Sequence, residues 1–178
     1  MSKPTNRFAV VLITALFFLW GFALNMNPIL IPHLKNACQL SDVQSAFIDS
    51  ASYIAYFLMA IPAGLFMKRY GYKAGITLGL LLFAGGAFLF YPAADSLQFS
   101  LFLIALFVIA SGLTLLETAA NPYITVLGDP ETGTQRLNFA QSFNGLAAFL
   151  APLAGGQFIL SGKNLSVADK QAMSADQL

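Results

Sequence analysis

Long apolar runs separated by short polar stretches set the organisation of this chain. A helix needs roughly 20 mostly apolar residues to cross a bilayer. Five stretches satisfy this, at 8–34, 43–67, 74–91, 99–127 and 137–160. The connectors between them are KNACQLSD, KRYGYK, PAADSLQ and GDPETGTQR. Connectors this short make successive helices antiparallel neighbours. The alternating period of a transmembrane β-barrel is absent, so the expected fold is an all-α integral membrane one. After Leu160 comes a polar tail, SGKNLSVADKQAMSADQL (161–178), without a sixth apolar run.

Composition agrees. The chain is 57% hydrophobic and 10% charged, with a mean hydropathy of +0.70, whereas soluble domains carry about a quarter charged residues. Net charge is +1, which argues against a nucleic-acid partner, because phosphate binding needs a concentrated basic surface. The only cysteine, Cys38, excludes an intrachain disulfide, and the only histidine, His33, excludes a His cluster. No metal site, phosphate loop or catalytic triad can be assembled, so neither an enzyme nor a cofactor is expected. The first apolar run is too long for a cleavable signal peptide and lacks a small-x-small cleavage site. With a cytoplasmic N-terminus, Lys3, Arg7, Lys68, Arg69, Lys73 and Arg136 lie inside and Lys35, Lys163 and Lys170 outside. Six against three favours that orientation.

A weak internal repeat accompanies the helices. AFIDSASYIAYFLMAIPAG (46–64) and NFAQSFNGLAAFLAPLAGG (138–156) share six identities. The preceding helices share Asn-Pro, at Asn27-Pro28 and Asn121-Pro122. A recurring three-helix unit is the internal symmetry that transporters show.

Charges inside the apolar runs are few, and Glu117 is the sharpest case, with no other formal charge between Asp95 and Asp129. On a helical wheel, Ser111, Thr114, Glu117, Thr118, Asn121 and Thr125 fall within an arc of about 120°. Such a face must look at protein or water, since a carboxylate facing lipid is costly. The hydroxyls could instead bond back to their own helix, and Glu117 could serve as packing glue. Pro122 frees the carbonyl of Thr118, and Pro28 that of Leu24, beside Asn25. Each could also be an ordinary tolerated kink. The second helix places Asp49, Ser52, Tyr53 and Tyr56 on one face, with a wet vestibule as the bland reading of Asp49. The fifth offers Gln141 and Asn144, one turn apart, suited to sugar hydroxyls or to interhelical bonding. Asn25 shares a face with Gly21 and Thr14, a small polar groove. Trp20 is expected to pack, with stacking on a ligand as the alternative.

The loop GLFMKRYGYKAG (64–75) resembles the cytoplasmic loop of the major facilitator superfamily, usually G-x-x-x-D-R-x-G-R-K. Gly64, Arg69, Gly71 and Lys73 match, while Lys68 and Tyr72 depart. LETAANPY (116–123), LNFAQSFNG (137–145), FFLWGF (17–22) and KAGITLGL (73–80) are similar to the L-fucose–proton symporter family of sugar transporters. The resemblance implies a twelve-helix fold of two rocking six-helix halves, of which these five helices are an incomplete N-terminal half. It also implies monosaccharide–proton symport, with L-fucose or a related hexose as cargo, in the inner or plasma membrane.

Residue by residue, the resemblance gives Glu117 a role in sugar binding and proton coupling. It makes Asn25, Asn27, Asn121, Gln141 and Asn144 sugar contacts, and Gly64, Arg69, Gly71 and Lys73 a gating loop. The first helix departs from the fucose-transporting pattern N-x-N-D-I-L-L-P, since NMNPILIP (25–32) places Pro28 where a protonatable Asp stands. Coupling through two acids therefore does not transfer. Glu117 acts alone, or Asp49 assists, or coupling is weaker, or another ion is used. The expected partners are the sugar, protons and membrane lipids, with the full-length protein a monomer. Alternatives are a passive carrier or sensor, a transport-inactive fragment, and a membrane scaffold.

Overall fold

The structure, a computed structural model, describes residues 6–37, 41–96 and 98–158. It comprises α1 (Arg7–Ala37), α2 (Asp42–Ser96), α3 (Phe99–Val126), a short 3-10 turn (Pro130–Thr132) and α4 (Gly133–Phe158). No strand occurs among the described residues. The tail at 161–178 and Cys38 lie outside them.

Local chemistry fixes several helix starts. The Asn6 side chain accepts from the Ala9 N–H at 3.2 Å, an N-cap for α1. Ser41 and Gln44 cap α2 reciprocally: the Gln44 N–H donates to the Ser41 hydroxyl at 3.2 Å and the Ser41 N–H to Gln44 Oε1 at 2.9 Å. This is a capping box, satisfying two otherwise orphaned donors.

The polar connector expected at 68–73 narrows to one residue. Helix α2 runs for 55 residues and leaves helical geometry only at Gly71, with φ 83° and ψ 167°. That region is essentially closed to residues with a Cβ, so the glycine divides α2 into arms at 42–70 and 72–96. At 1.5 Å per residue, α2 has a path of about 80 Å, enough for two crossings of a hydrocarbon core of about 30 Å. Helices α1, α2 and α3 contain segments long and apolar enough to span a membrane, at Arg7–Met26, Asp42–Ala93 and Phe99–Val126. Helix α4 has 26 residues but interleaves Gln141, Ser142 and Asn144 with its apolar positions.

The packing is two pairs, α2 along α3 and α1 along α4, with α3 also touching both α1 and α4. Ile13, Phe17 and Trp20 of α1 meet Leu113, Leu116 and Ile124 of α3 in the main buried cluster. In lipid, apolar side chains gain little by leaving the tails, so close backbone approach matters more. One such approach is where Gly112 of α3 crosses α2: a Cβ on Gly112 would lie 2.6 Å from both Gly79 O and Phe83 N. By contrast, Phe57 and Phe88 are 81% and 79% exposed, a surface suited to acyl chains and not to water.

One end of the bundle gathers five of the six lysines and arginines among the described residues, Lys35 near the end of α1 being the other. The Asn6 N–H donates to Leu127 O at 3.4 Å, the rings of Tyr72 and Tyr123 lie 6.1 Å apart, and Arg136 donates to Thr125 O at 2.7 Å. The start of α1, the Gly71 break, the end of α3 and the start of α4 therefore meet. Arg7, Lys68, Arg69, Lys73 and Arg136 all belong to this end.

Candidate functional site

The polar face of α3 divides into two kinds of residue. The Ser111 hydroxyl donates to Phe107 O at 2.7 Å and Thr114 to Ala110 O at 2.8 Å. Thr118 donates to Thr114 O and Thr125 to Pro122 O, each at 2.7 Å. All four hydroxyl protons are thus committed within their own helix, the back-bonding that serine and threonine favour in apolar surroundings. Glu117 and Asn121 are left, one turn apart, both half-buried.

A polar seam extends from Asn121 across two more helices. Gln141 Nε2 on α4 donates to Asn121 Oδ1 at 3.1 Å. One turn along α4, Asn144 Nδ2 donates to Phe17 O on α1 at 3.4 Å. Gly21 makes room for this amide, because a Cβ there would lie 2.8 Å from Asn144 Cγ. Asn25 Nδ2 in turn donates to Gly21 O at 2.7 Å. Asn121, Gln141, Asn144 and Asn25 thus follow one another across α3, α4 and α1, and Glu117 stands one turn from Asn121 along α3. Asn27 lies in α1 and Asp49 in α2, but their side chains are outside the described residues.

Trp20 is a core residue, 4% exposed, with its ring 5.0 Å from that of Phe17. It packs and offers no open face for stacking. Pro28 lines a cavity of about 150 Å³ with Leu24, Ser52, Tyr53, Tyr56 and Leu113. Tyr56 was visible from the sequence only as part of a polar face, without a role. Among the described residues no group of three or more His, Cys, Asp or Glu is placed to hold a metal ion.

Two other features bear on movement. Gly64, Arg69, Gly71 and Lys73 are all exposed around the α2 break, where the Arg69 guanidinium lies 5.3 Å from the Tyr70 ring centroid. Arg136, counted in the sequence only as a charge, joins α4 to the end of α3. Its Nε donates to Ile124 O at 3.1 Å, and Nη2 to Thr125 O at 2.7 Å and Asp129 O at 3.0 Å. Its Nη1 also donates to the Thr132 hydroxyl. The signal for this role was its position. A cation in the first turn of a helix opposes that helix's dipole, so it needs another partner, here the preceding C-terminal carbonyls.

The sequence profile of the Major Facilitator Superfamily matches residues 11–165. The chain belongs to that superfamily. It is 48% identical over 171 residues to a glucose/galactose transporter of Brucella abortus, covering 96% of this chain and 42% of that protein. It is 49% identical over 170 residues to the L-fucose-proton symporter of Escherichia coli, covering 94% of this chain and 38% of that one. A putative glucose/galactose transporter of Helicobacter pylori is 40% identical over 176 residues, 97% of this chain and 43% of the other. Among solved structures, a variant of the E. coli fucose:proton symporter superposes with a TM-score of 0.83 at 45% identity, covering 98% of this chain and 42% of that chain. The superfamily chain described here thus spans about two fifths of the length of these relatives, and its helices correspond to the N-terminal part of the fold. The superfamily comprises transporters and not enzymes.

Proposed function

We propose that this chain supplies one wall of a monosaccharide–proton symporter of the cell membrane, with L-fucose or a related hexose as cargo. The observation that carries this is the seam of amides across three helices, joined by the Gln141–Asn121 bond at 3.1 Å, with the Glu117 carboxylate one turn from Asn121 on α3. Amides donate and accept at once, which suits a polyol. Asn25, Asn121, Gln141 and Asn144 read sugar hydroxyls, with Asn27 beside them on α1. The printed names of the relatives support a sugar, and one of them a proton.

Glu117 carries the proton. Ionised, it only accepts hydrogen bonds; protonated, it also donates. The two forms therefore interact differently with the two access states, which any coupled switch requires. Asp49 is an accessory candidate. Gly64, Arg69, Gly71 and Lys73 form the gating loop on the cytoplasmic side, and the gathering of Arg7, Arg69, Lys73 and Arg136 at one end supports a cytoplasmic N-terminus. A second reading, a passive carrier without coupling, is favoured by one observation: Pro28 gives α1 no acid at that place.

The test is uptake of labelled sugar by the full-length protein in proteoliposomes under an inward proton gradient. Glu117→Gln is expected to abolish accumulation while sugar counterflow continues. Accumulation that survives the substitution overturns the coupling role. Proton-independent counterflow in the wild type selects the passive carrier, and no sugar binding at all sinks the transport reading.

A further inference from the structure

The polar side chains of the candidate site stand on two packing pairs. Glu117 and Asn121 belong to α3, which runs along α2, whereas Asn25 belongs to α1 and Gln141 and Asn144 to α4, which run along each other. A ligand that touches both groups therefore bridges a seam. Apolar contacts between α1 and α3 hold the pairs together, but apolar attraction is non-directional, and amides need direction. Gln141 Nε2 crosses the seam to Asn121 Oδ1 through an exposed pair, where water competes for both partners. About 7.5 Å back along α4, at 1.5 Å per residue, Arg136 makes the stronger crossing. It donates to Ile124 O at 3.1 Å and Thr125 O at 2.7 Å, in the turn of α3 that follows Asn121. That turn is weakened internally, because Pro122 has no N–H to give to the carbonyl of Thr118. The Thr125 hydroxyl ties it back by donating to Pro122 O at 2.7 Å. The connector has no slack either. The Asp129 side chain accepts from the Glu131 N–H at 3.1 Å and its carbonyl from the Thr132 hydroxyl at 3.2 Å, and Arg136 donates to both Asp129 O and the Thr132 hydroxyl. Arg136, Gln141, Asn121, Pro122 and Thr125 thus close a ring of covalent and hydrogen-bonded links across the seam.

We propose, on the transport reading above, that Arg136 is a positioning residue for the sugar site: by pinning the start of α4 to the last turn of α3, its guanidinium sets the distance and direction of Gln141 relative to Asn121, the gap that a hexose spans. Its own hydrogen bonds go to three carbonyls and to Thr132, so it acts through the two helices and not on the ligand. A guanidinium suits this because its donors are fixed in one plane. Carbonyls on three residues then hold α4 in rotation as well as in height, where a lysine ammonium holds height alone. Rotation matters to an amide, since a hydrogen bond weakens steeply away from its axis. With the gap fixed before the sugar arrives, less of the binding free energy goes into ordering the site.

The experiment measures the Kd of L-fucose, D-glucose and D-galactose by calorimetry on the full-length protein in nanodiscs, at a temperature well below every Tm. Arg136→Ala is expected to raise the Kd of the sugar that wild type binds by about three- to tenfold, the weight of about one neutral hydrogen bond. In a Gln141→Ala background the same substitution should add less than about twofold, because the side chain it positions is gone. Gly112→Ala separates positioning from general loosening: it strains the crossing of α3 with α2, away from the seam, and should lower Tm while Kd stays within about twofold of wild type. Where the alanine variant does not fold, Arg136→Lys keeps the charge without the fork and should raise Kd by about twofold or more, again only with Gln141 present. A wild-type Kd in Arg136→Ala, or in Arg136→Lys where alanine does not fold, overturns the proposal. So does an equal loss in the Gln141→Ala background, and so does an equal loss in Gly112→Ala. If wild type binds none of the three sugars, the transport reading has failed and this proposal falls with it.

Discussion

Removing the Arg136 side chain should loosen the junction between α3 and α4. The guanidinium makes four hydrogen bonds, three of them to main-chain carbonyls of Ile124, Thr125 and Asp129. Those of Ile124 and Thr125 belong to the last turn of α3, where the helix leaves its acceptors without internal donors. A hydrogen bond to a charged group contributes about 1.5–3 kcal/mol net. Arg136 is half-buried, so water recovers part of the loss, and a charge opposite the dipole of α3 contributes about 0.3–1 kcal/mol more. The expected cost of Arg136→Ala is therefore about 2–4 kcal/mol in total. Thermal unfolding of the full-length protein in detergent or nanodiscs should show a fall in Tm on the order of 2–5 °C. Arg136→Lys should recover less than half of it, because one compact ammonium cannot fork across carbonyls on three residues. An alanine variant that melts within about 1 °C of wild type, or a lysine variant that restores everything, refutes this cap.

Gly112→Ala should cost about 1–3 kcal/mol by overpacking, because its Cβ would meet backbone atoms of α2 at 2.6 Å and not a side chain that can swing away; reduced Tm and lower yield of folded protein in membranes check it. Gly71→Ala should destabilise by about 1–3 kcal/mol through its backbone conformation alone, whereas Gly64→Ala, which has open space at its Cβ, should leave Tm unchanged. Gly21→Val should displace Asn144, whose Cγ would lie 2.8 Å from the new Cβ, and weaken sugar binding measured by calorimetry while the helical content by circular dichroism stays constant.

The legible parts of this molecule were those governed by periodicity and length. Runs of apolar residues located α1, α3 and α4, and a wheel placed Glu117 and Asn121 on one face of α3, because helical geometry is local and regular. Long-range partners were less visible. Gln141 and Asn144 were singled out as amides one turn apart, but neither Asn121 Oδ1 nor Phe17 O could be named as acceptor, since both contacts depend on how α4 crosses α3 and α1. The break in α2 was read as a polar connector of six residues. It is one glycine, since the flanking lysine, arginine and tyrosine residues are content in a helix, and only Gly71 takes a positive φ. Arg136 has its role from carbonyls of the preceding helix end and connector, which a count of charges along the sequence does not show.

On the proposed function, the division of labour along α3 has a chemical logic. Hydroxyls that bond to their own carbonyls at 2.7–2.8 Å satisfy themselves and make no demand on neighbours, so they can line a moving surface at little cost. Amides cannot do this so completely. Each carries two donors and an acceptor oxygen, and the Gln141–Asn121 bond uses one donor and one acceptor among them. Their spare valence is what a sugar can occupy. Glu117 differs from both in that its hydrogen-bonding character changes with one proton, from acceptor to donor. A ligand that offers hydroxyls thus meets a different α3 before and after protonation. Coupling then needs no second acid on α1: it needs one group of variable character within reach of partners that do not vary.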